Sequence, residues 1–147
     1  MKKVISGMTA LFVTVMMVSC SNGQSKSEGD NKSKSESKSA SVSIAENVNV
    51  EEFAKHMDGA QLLDVRTPDE WNAGIIEGAT LANIYDADFD AKLAKLDKEK
   101  PVTVYCKSGG RSGQAMAKMQ ELGFKEVYNL KGGMGAWQGA DMPTVKP

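Results

Sequence analysis

Val102-Thr103-Val104-Tyr105-Cys106-Lys107-Ser108-Gly109-Gly110-Arg111-Ser112 decides the fold. The four residues after Pro101 are β-branched or aromatic, the composition of a buried strand. The run ends at a cysteine and a glycine-containing turn. From Ser112 to Leu122 the spacing puts Ala115, Met119 and Leu122 on one helical face, and Gly123 ends the helix. A strand passing through a short loop into a helix is half of a parallel β/α unit, and ligands of such sheets collect at the carboxyl ends of the strands. The candidate site is therefore residues 106–112. Adjacent glycines let successive N–H groups turn toward one point. The helix start adds its positive end, and Lys107 and Arg111 add full charges. A cysteine there is expected to have a lowered pKa and to be a thiolate near neutral pH. The chemistry is nucleophilic attack by Cys106, with the loop taking up negative charge in place of a catalytic base. The alternative is a buried cysteine that closes an apolar strand.

Working outward, the same alternation recurs. Asn49 caps a helix from Val50 to about Met57, with Glu52 placed for a capping box. Leu62-Leu63-Asp64-Val65 is a short buried-strand pattern. Thr67 caps a short helix with Pro68 at its first position and acids in its first turn, and the helix stops at Gly74. A second strand is expected over Ala79–Ile84. An amphipathic helix follows from Asp88 to about Leu96, with Phe89, Leu93 and Leu96 on one face. Val127-Tyr128-Asn129-Leu130 is a fourth strand, and Gly132-Gly133 turns into a last helix carrying Trp137. The fold class is α/β, with a mainly parallel central sheet flanked by helices in three layers.

Three stretches then resemble one family. Cys106-x-Ser108-Gly109-x-Arg111-Ser112 resembles the active-site loop of single-domain rhodaneses, the thiosulfate sulfurtransferases. Leu63-Asp64-Val65-Arg66-Thr67-Pro68-Asp69-Glu70-Trp71, continuing to Gly74, Ile76, Gly78 and Ala79, resembles a second family signature. Asn129-Leu130-x-Gly132-Gly133-x-x-Ala136-Trp137 resembles its closing motif. One departure is Ile75, which stands where the family usually has a histidine that helps fasten this segment. The resemblance implies a sulfur carrier. Cys106 takes a sulfane sulfur from a small anionic or persulfide donor, becomes a persulfide, and passes the sulfur to a thiol or cyanide. It implies that Arg111 closes the loop and binds the donor, that Lys107 attracts it, and that the backbone from Lys107 through Ser108, Gly109 and Gly110 to Ser112 cradles the persulfide. Asp64 and Arg66 are read as supports of the active-site side of the sheet, with substrate contact by Arg66 as the alternative. Trp137 is read as core or pocket rim.

Composition and spacing bear on the rivals. The chain has 147 residues, a formal net charge of −1, two cysteines and one histidine. It has no basic excess to mark a nucleic-acid partner. It cannot fill a Cys/His zinc site, and no metal or cofactor is expected. A Cys-His or Ser-His-Asp enzyme would need His56 as its base, and His56 sits on the first helix beside Phe53 and Met57, where a structural role is the simpler reading. Cysteine phosphatases of this fold carry five residues between Cys and Arg, whereas four stand here, which suits a sulfur atom better than a phosphate or arsenate. A module that stores persulfide or binds a partner without turnover is the alternative from another class. Disulfide exchange would need a resolving thiol. Gly133-x-Gly135 lacks the third glycine of a dinucleotide fingerprint, since position 138 is Gln138. Met116, Met119 and Met134 suit packing. Nothing signals oligomerisation, so a monomer is expected.

The chain is organised in three parts. Met1-Lys2-Lys3 precedes fifteen uncharged, mostly apolar residues, Val4–Val18, shorter than the ~20 of a bilayer span. Small Ser19 then precedes Cys20, which resembles a bacterial lipoprotein signal. It implies a signal peptide over 1–19, a lipid on Cys20, and anchoring to a bacterial membrane in the cell envelope, on the non-cytoplasmic side. An ordinary secretory signal or a short anchor is the alternative. Ser21–Ser41 holds eight serines, four lysines and three acids and no large apolar side chain, the composition of a flexible tether. Setting Lys2 and Lys3 aside leaves 16 basic against 19 acidic residues. The domain is expected over 42–147, roughly 105 residues, enough for one modest core. In an oxidising compartment an exposed low-pKa Cys106 invites over-oxidation. A plentiful sulfur donor or a dedicated thiol reductant is therefore expected there.

Overall fold

A computed structural model describes residues 43–147. The expected signal peptide, Cys20 and the tether lie outside the described residues. Five strands alternate with five helices: β1 Ile44–Val48, α1 Val50–His56, β2 Gln61–Asp64, α2 Pro68–Asn72, β3 Thr80–Leu81, α3 Phe89–Leu93, β4 Val102–Tyr105, α4 Gly110–Glu121, β5 Glu126–Leu130 and α5 Gly133–Gly139. The strands form one sheet in the order β1-β5-β4-β2-β3, and every pair is parallel. β4 is central, so its carboxyl end opens at the middle of the sheet.

The two-residue period of the strands divides the core. Leu63, Val102, Val104 and Val127 point to one face, where Phe89 and Leu93 of α3 and Ala115 and Met119 of α4 cover them. Leu62, Tyr105, Tyr128 and Leu130 point to the other, against Phe53 of α1 and Met134 and Trp137 of α5. Phe53 has no exposed surface and meets the rings of Tyr105 and Trp137 edge-on at 6.5 and 6.2 Å. Its burial is worth about 2–3 kcal/mol. Cys106 continues the series Val102, Val104, so its thiol falls on the α4 side. That parity brings the sulfur under the start of α4.

The expected caps form. Asn49 accepts from the Glu52 N–H at 2.9 Å while Glu52 reaches back to the Asn49 N–H. Thr67 and Glu70 close the same box on α2, with Pro68 in the first turn. Three expectations are corrected. β1 is a fifth strand that the pattern does not reveal: it is an edge strand, and Glu46 and Asn47 break its apolar run. β3 shrinks to two residues: Ala82 and Ile84 still donate to the Asp64 and Val65 carbonyls at 2.9 and 3.4 Å, but a turn from Asn83 to Asp86 ends the regular pairing. Leu122 is exposed, since α4 ends at Glu121 and the chain turns out through Gly123 at φ 88°. His56 stacks on Tyr128 at 3.7 Å, a packing role.

Candidate functional site

The loop after β4 wraps around the cysteine. The Gly109 N–H donates to Cys106 Sγ at 3.1 Å, and the Ser112 hydroxyl lies 3.3 Å from the same sulfur. That hydroxyl also lies 3.2 Å from the Gly109 carbonyl, so its single proton serves one acceptor at a time. Gly109 adopts a left-handed φ of 93° just before α4, which turns its N–H inward. Burial pushes the Cys106 thiol up. Hydrogen bonds from the Ser112 hydroxyl and from the N–H groups of Ser112, Ser108 and Gly109 outweigh burial, and the thiol lies below its ordinary value. Cys106 has no exposed surface. The expectation of an exposed thiolate is therefore corrected: the loop that lowers its pKa also covers it.

The loop is held from behind by a second glycine pair. The N–H groups of Met134 and Gly135 donate to the carbonyls of Cys106 and Lys107 at 2.8 and 3.1 Å. Across a planar trans peptide the carbonyl and the next N–H point opposite ways. Turning those carbonyls toward α5 therefore turns the Lys107 and Ser108 N–H groups away from it, and the Ser108 N–H is among the groups that lower the Cys106 thiol. The approach requires Gly133: a Cβ there would stand 2.3 Å from the Cys106 carbonyl oxygen. Asn129 completes the support, donating to the Gly109 carbonyl at 3.0 Å and to Asn47 Oδ1 at 2.7 Å. The sequence pattern alone gives Asn129 no site role. A buried amide inside an otherwise apolar strand was the available signal.

Arg111 leads to another residue without an assigned role. Its two terminal nitrogens donate to Glu70 Oε2 and Oε1 at 2.8 and 2.7 Å. Oε2 also accepts from the N–H and hydroxyl of Thr67, each at 3.0 Å. The Arg111 hydrogen bonds, opposed by partial burial and helped by those of Thr67, bring the Glu70 carboxyl down to about 2. Arg111 rises correspondingly, chiefly through Glu70. Its guanidinium lies 6.0 Å from the ring centre of Tyr85, an exposed side chain. Lys107, Ser108 and Gly110 are exposed on the loop. A cavity of about 360 Å³ adjoins Lys107 and is lined by Arg66, Asp69, Glu70, Ala73, Met134 and Gln138, among others.

Asp64 and Arg66 form a buried pair beside this cavity. Arg66 donates to both Asp64 oxygens, at 2.6 Å at the closest, and to the carbonyls of Glu70 and Gly74 at 3.1 and 2.7 Å. It ties the middle of α2 and the turn after it to the end of β2. The segment carrying Ile75 is fastened without a histidine. Ile75 exchanges backbone bonds with Val145 at 2.8 and 2.9 Å, and the Ile76 N–H donates to the Tyr105 hydroxyl at 3.0 Å. Trp137 is buried, and its indole N–H donates to the Pro143 carbonyl at 2.9 Å. Among the described residues, no three His, Cys, Asp or Glu side chains converge on a metal-sized point.

Comparisons with known proteins agree with this geometry. The family model for the rhodanese-like domain matches residues 49–140. A sulfurtransferase of Allochromatium vinosum is 36% identical over 86 residues, 58% of this chain and 78% of its own length. The uncharacterized protein YqhL of Bacillus subtilis is 40% identical over 89 residues, 60% of this chain and 69% of its own. The crystal structure of a rhodanese-related protein from Thermoplasma volcanium superposes with a TM-score of 0.61 at 27% identity, covering 67% of this chain and 96% of that one. The solution structure of a polysulfide-sulfur transferase homodimer from Wolinella succinogenes gives 0.59 at 30% identity, covering 71% and 80%. By its loop, its sheet order and these matches, the chain belongs to the rhodanese-like domain family.

Proposed function

We propose that the protein is a sulfurtransferase that carries a sulfane sulfur on Cys106 as a persulfide. The observation that carries this reading is the donor set around Sγ: the Gly109 N–H at 3.1 Å and the Ser112 hydroxyl at 3.3 Å, at the start of a twelve-residue helix. These donors favour a thiolate and, once sulfur is added, an anionic persulfide. With thiosulfate, the Cys106 thiolate attacks the outer sulfur. The Sγ–S bond forms, the S–S bond to the sulfonate breaks, and sulfite leaves with the electron pair. An acceptor thiolate or cyanide then attacks the outer sulfur of the persulfide and returns Cys106 as a thiolate. Cys106 is covered at rest, so the donor enters as loop side chains give way. Lys107 supplies positive charge, Arg111 is held against Glu70 at the edge of the loop, and Asp64 and Arg66 hold α2 beside the loop. We read Cys20 as the lipid attachment that places this chemistry at a bacterial membrane outside the cytoplasm. Incorporation of labelled fatty acid, lost in Cys20→Ser, tests that assignment.

Steady-state formation of thiocyanate from thiosulfate and cyanide tests the function. Turnover that disappears in Cys106→Ser supports an enzyme. A Cys106 persulfide that forms once and never turns over with cyanide or any thiol supports instead the storage module.

A further inference from the structure

The loop carries less positive charge than its sequence promises. Both terminal nitrogens of Arg111 are engaged by Glu70. Glu70 is no loose surface carboxylate: Thr67 fixes it with two hydrogen bonds in the capping box of α2. The paired side chains are only 19% and 23% exposed, so solvent screens their charges less than those of an open pair. Lys107 is exposed, with no carboxylate in ion-pair range among the described residues. A dianion approaching Cys106 therefore meets one uncompensated cation on the loop and a fixed carboxylate beside it. A donor of lower charge loses less by that arrangement.

We propose that Glu70 is a specificity-determining residue. By holding Arg111 it turns the site away from dianionic donors such as thiosulfate and toward organic hydropersulfides, R–S–SH. This rests on the reading of Cys106 as the sulfur acceptor. In the favoured step the Cys106 thiolate attacks the outer sulfur. The Sγ–S bond forms, the S–S bond of the donor breaks, and the electron pair leaves on R–S⁻. The proton travels with the transferred sulfur and is then released to solvent. Cys106 sulfur is oxidised as the R–S sulfur is reduced, so no outside oxidant is needed. Arg111 and Glu70 act through charge and exchange neither protons nor electrons.

The test is the loading rate of Cys106 in the full-length chain, followed by intact mass with thiosulfate and with a small alkyl hydropersulfide whose alkyl group carries no charge. Each rate is divided by that of the same donor with a small free thiol, which removes intrinsic reactivity. Lys107 and the start of α4 still attract anions in the unaltered chain, so the deciding quantity is the change in the ratio of the two corrected rates when the Glu70 charge is removed. Glu70→Gln keeps the shape and removes the charge. It shifts the thiosulfate-to-hydropersulfide ratio about tenfold toward thiosulfate, through the KM for thiosulfate and not through kcat. A fall in both rates that leaves the ratio unchanged marks Glu70 as merely structural and overturns its role in specificity, while Cys106 still carries sulfur. Loading by neither donor overturns the sulfur-transfer reading itself, and this proposal with it.

Discussion

At the scale of single residues, the chemistry rests on few donors. Ser112 is one of the groups that hold the Cys106 thiol below its ordinary value against burial. Ser112→Ala removes a donor at 3.3 Å and leaves the opposing burial in place. The expected outcome is a midpoint for iodoacetamide alkylation of Cys106 at higher pH, with slower alkylation at neutral pH. An unmoved midpoint would mean that the backbone N–H groups alone set the thiolate. Glu70 makes a prediction about stability. Its folded-state value of about 2 lies below the unfolded carboxylate range of roughly 4.3. The contribution of the pair is therefore complete above about pH 4.5 and is lost as the pH falls toward 2. Partial exposure discounts it to about 1–2 kcal/mol. Urea unfolding should show Glu70→Gln less stable by that amount at pH 7, and the gap should narrow at pH 3. Cys106 and Arg111 were legible as site residues because glycines and charges cluster beside them. Glu70 was not, since its capping role at α2 explains it fully until the fold sets it against Arg111, 41 residues away.

At the scale of elements, the reactive loop is a packed interface between two turns. Gly109 faces the Leu130 carbonyl and the Gly132 N–H, and Gly133 faces the Cys106 carbonyl. A Cβ at 109 would stand 3.2 Å from both neighbours, whereas one at 133 would stand at 2.3 Å with φ at 56°. Gly133→Ala is therefore the more damaging change. It should cost about 3 kcal/mol and raise the alkylation midpoint of Cys106, because displaced carbonyls no longer hold the N–H groups toward sulfur. Chemical denaturation and the same alkylation profile check both parts. Most elements were legible from period and caps: α1 from its capping box, α2 from Thr67, Pro68 and the acids of its first turn, β4 from its β-branched run. β1 was not, because an edge strand with Glu46 and Asn47 is fixed by its backbone ladder to β5 rather than by an apolar pattern. The contact of the Gly132-Gly133 turn with the Cys106 loop was equally hidden, since close approach between distant backbones leaves no local signature beyond the glycines themselves.

At the scale of the whole molecule, the parallel sheet brings the ends of β4, β5 and β2 together, and the chain's last residues lock one flank. Val145 bonds Ile75 twice, Pro143 accepts from Trp137, and Lys146 Nζ donates to the Asn72 carbonyl at 2.7 Å. Deleting residues 143–147 should lower stability by about 1–3 kcal/mol. It should also raise amide exchange at Ile75, whose N–H donates to the Val145 carbonyl at 2.8 Å. Unchanged exchange there would assign the fastening to Arg66 and Tyr105 alone. The central claim, that Cys106 is the atom that carries sulfur, is tested most directly by intact mass of the reduced, full-length chain after exposure to a sulfane donor. The account predicts a gain of one sulfur atom, removed by cyanide and absent in Cys106→Ser. No gain on the folded, reduced protein with either thiosulfate or a hydropersulfide, or a gain that persists without Cys106, would contradict it.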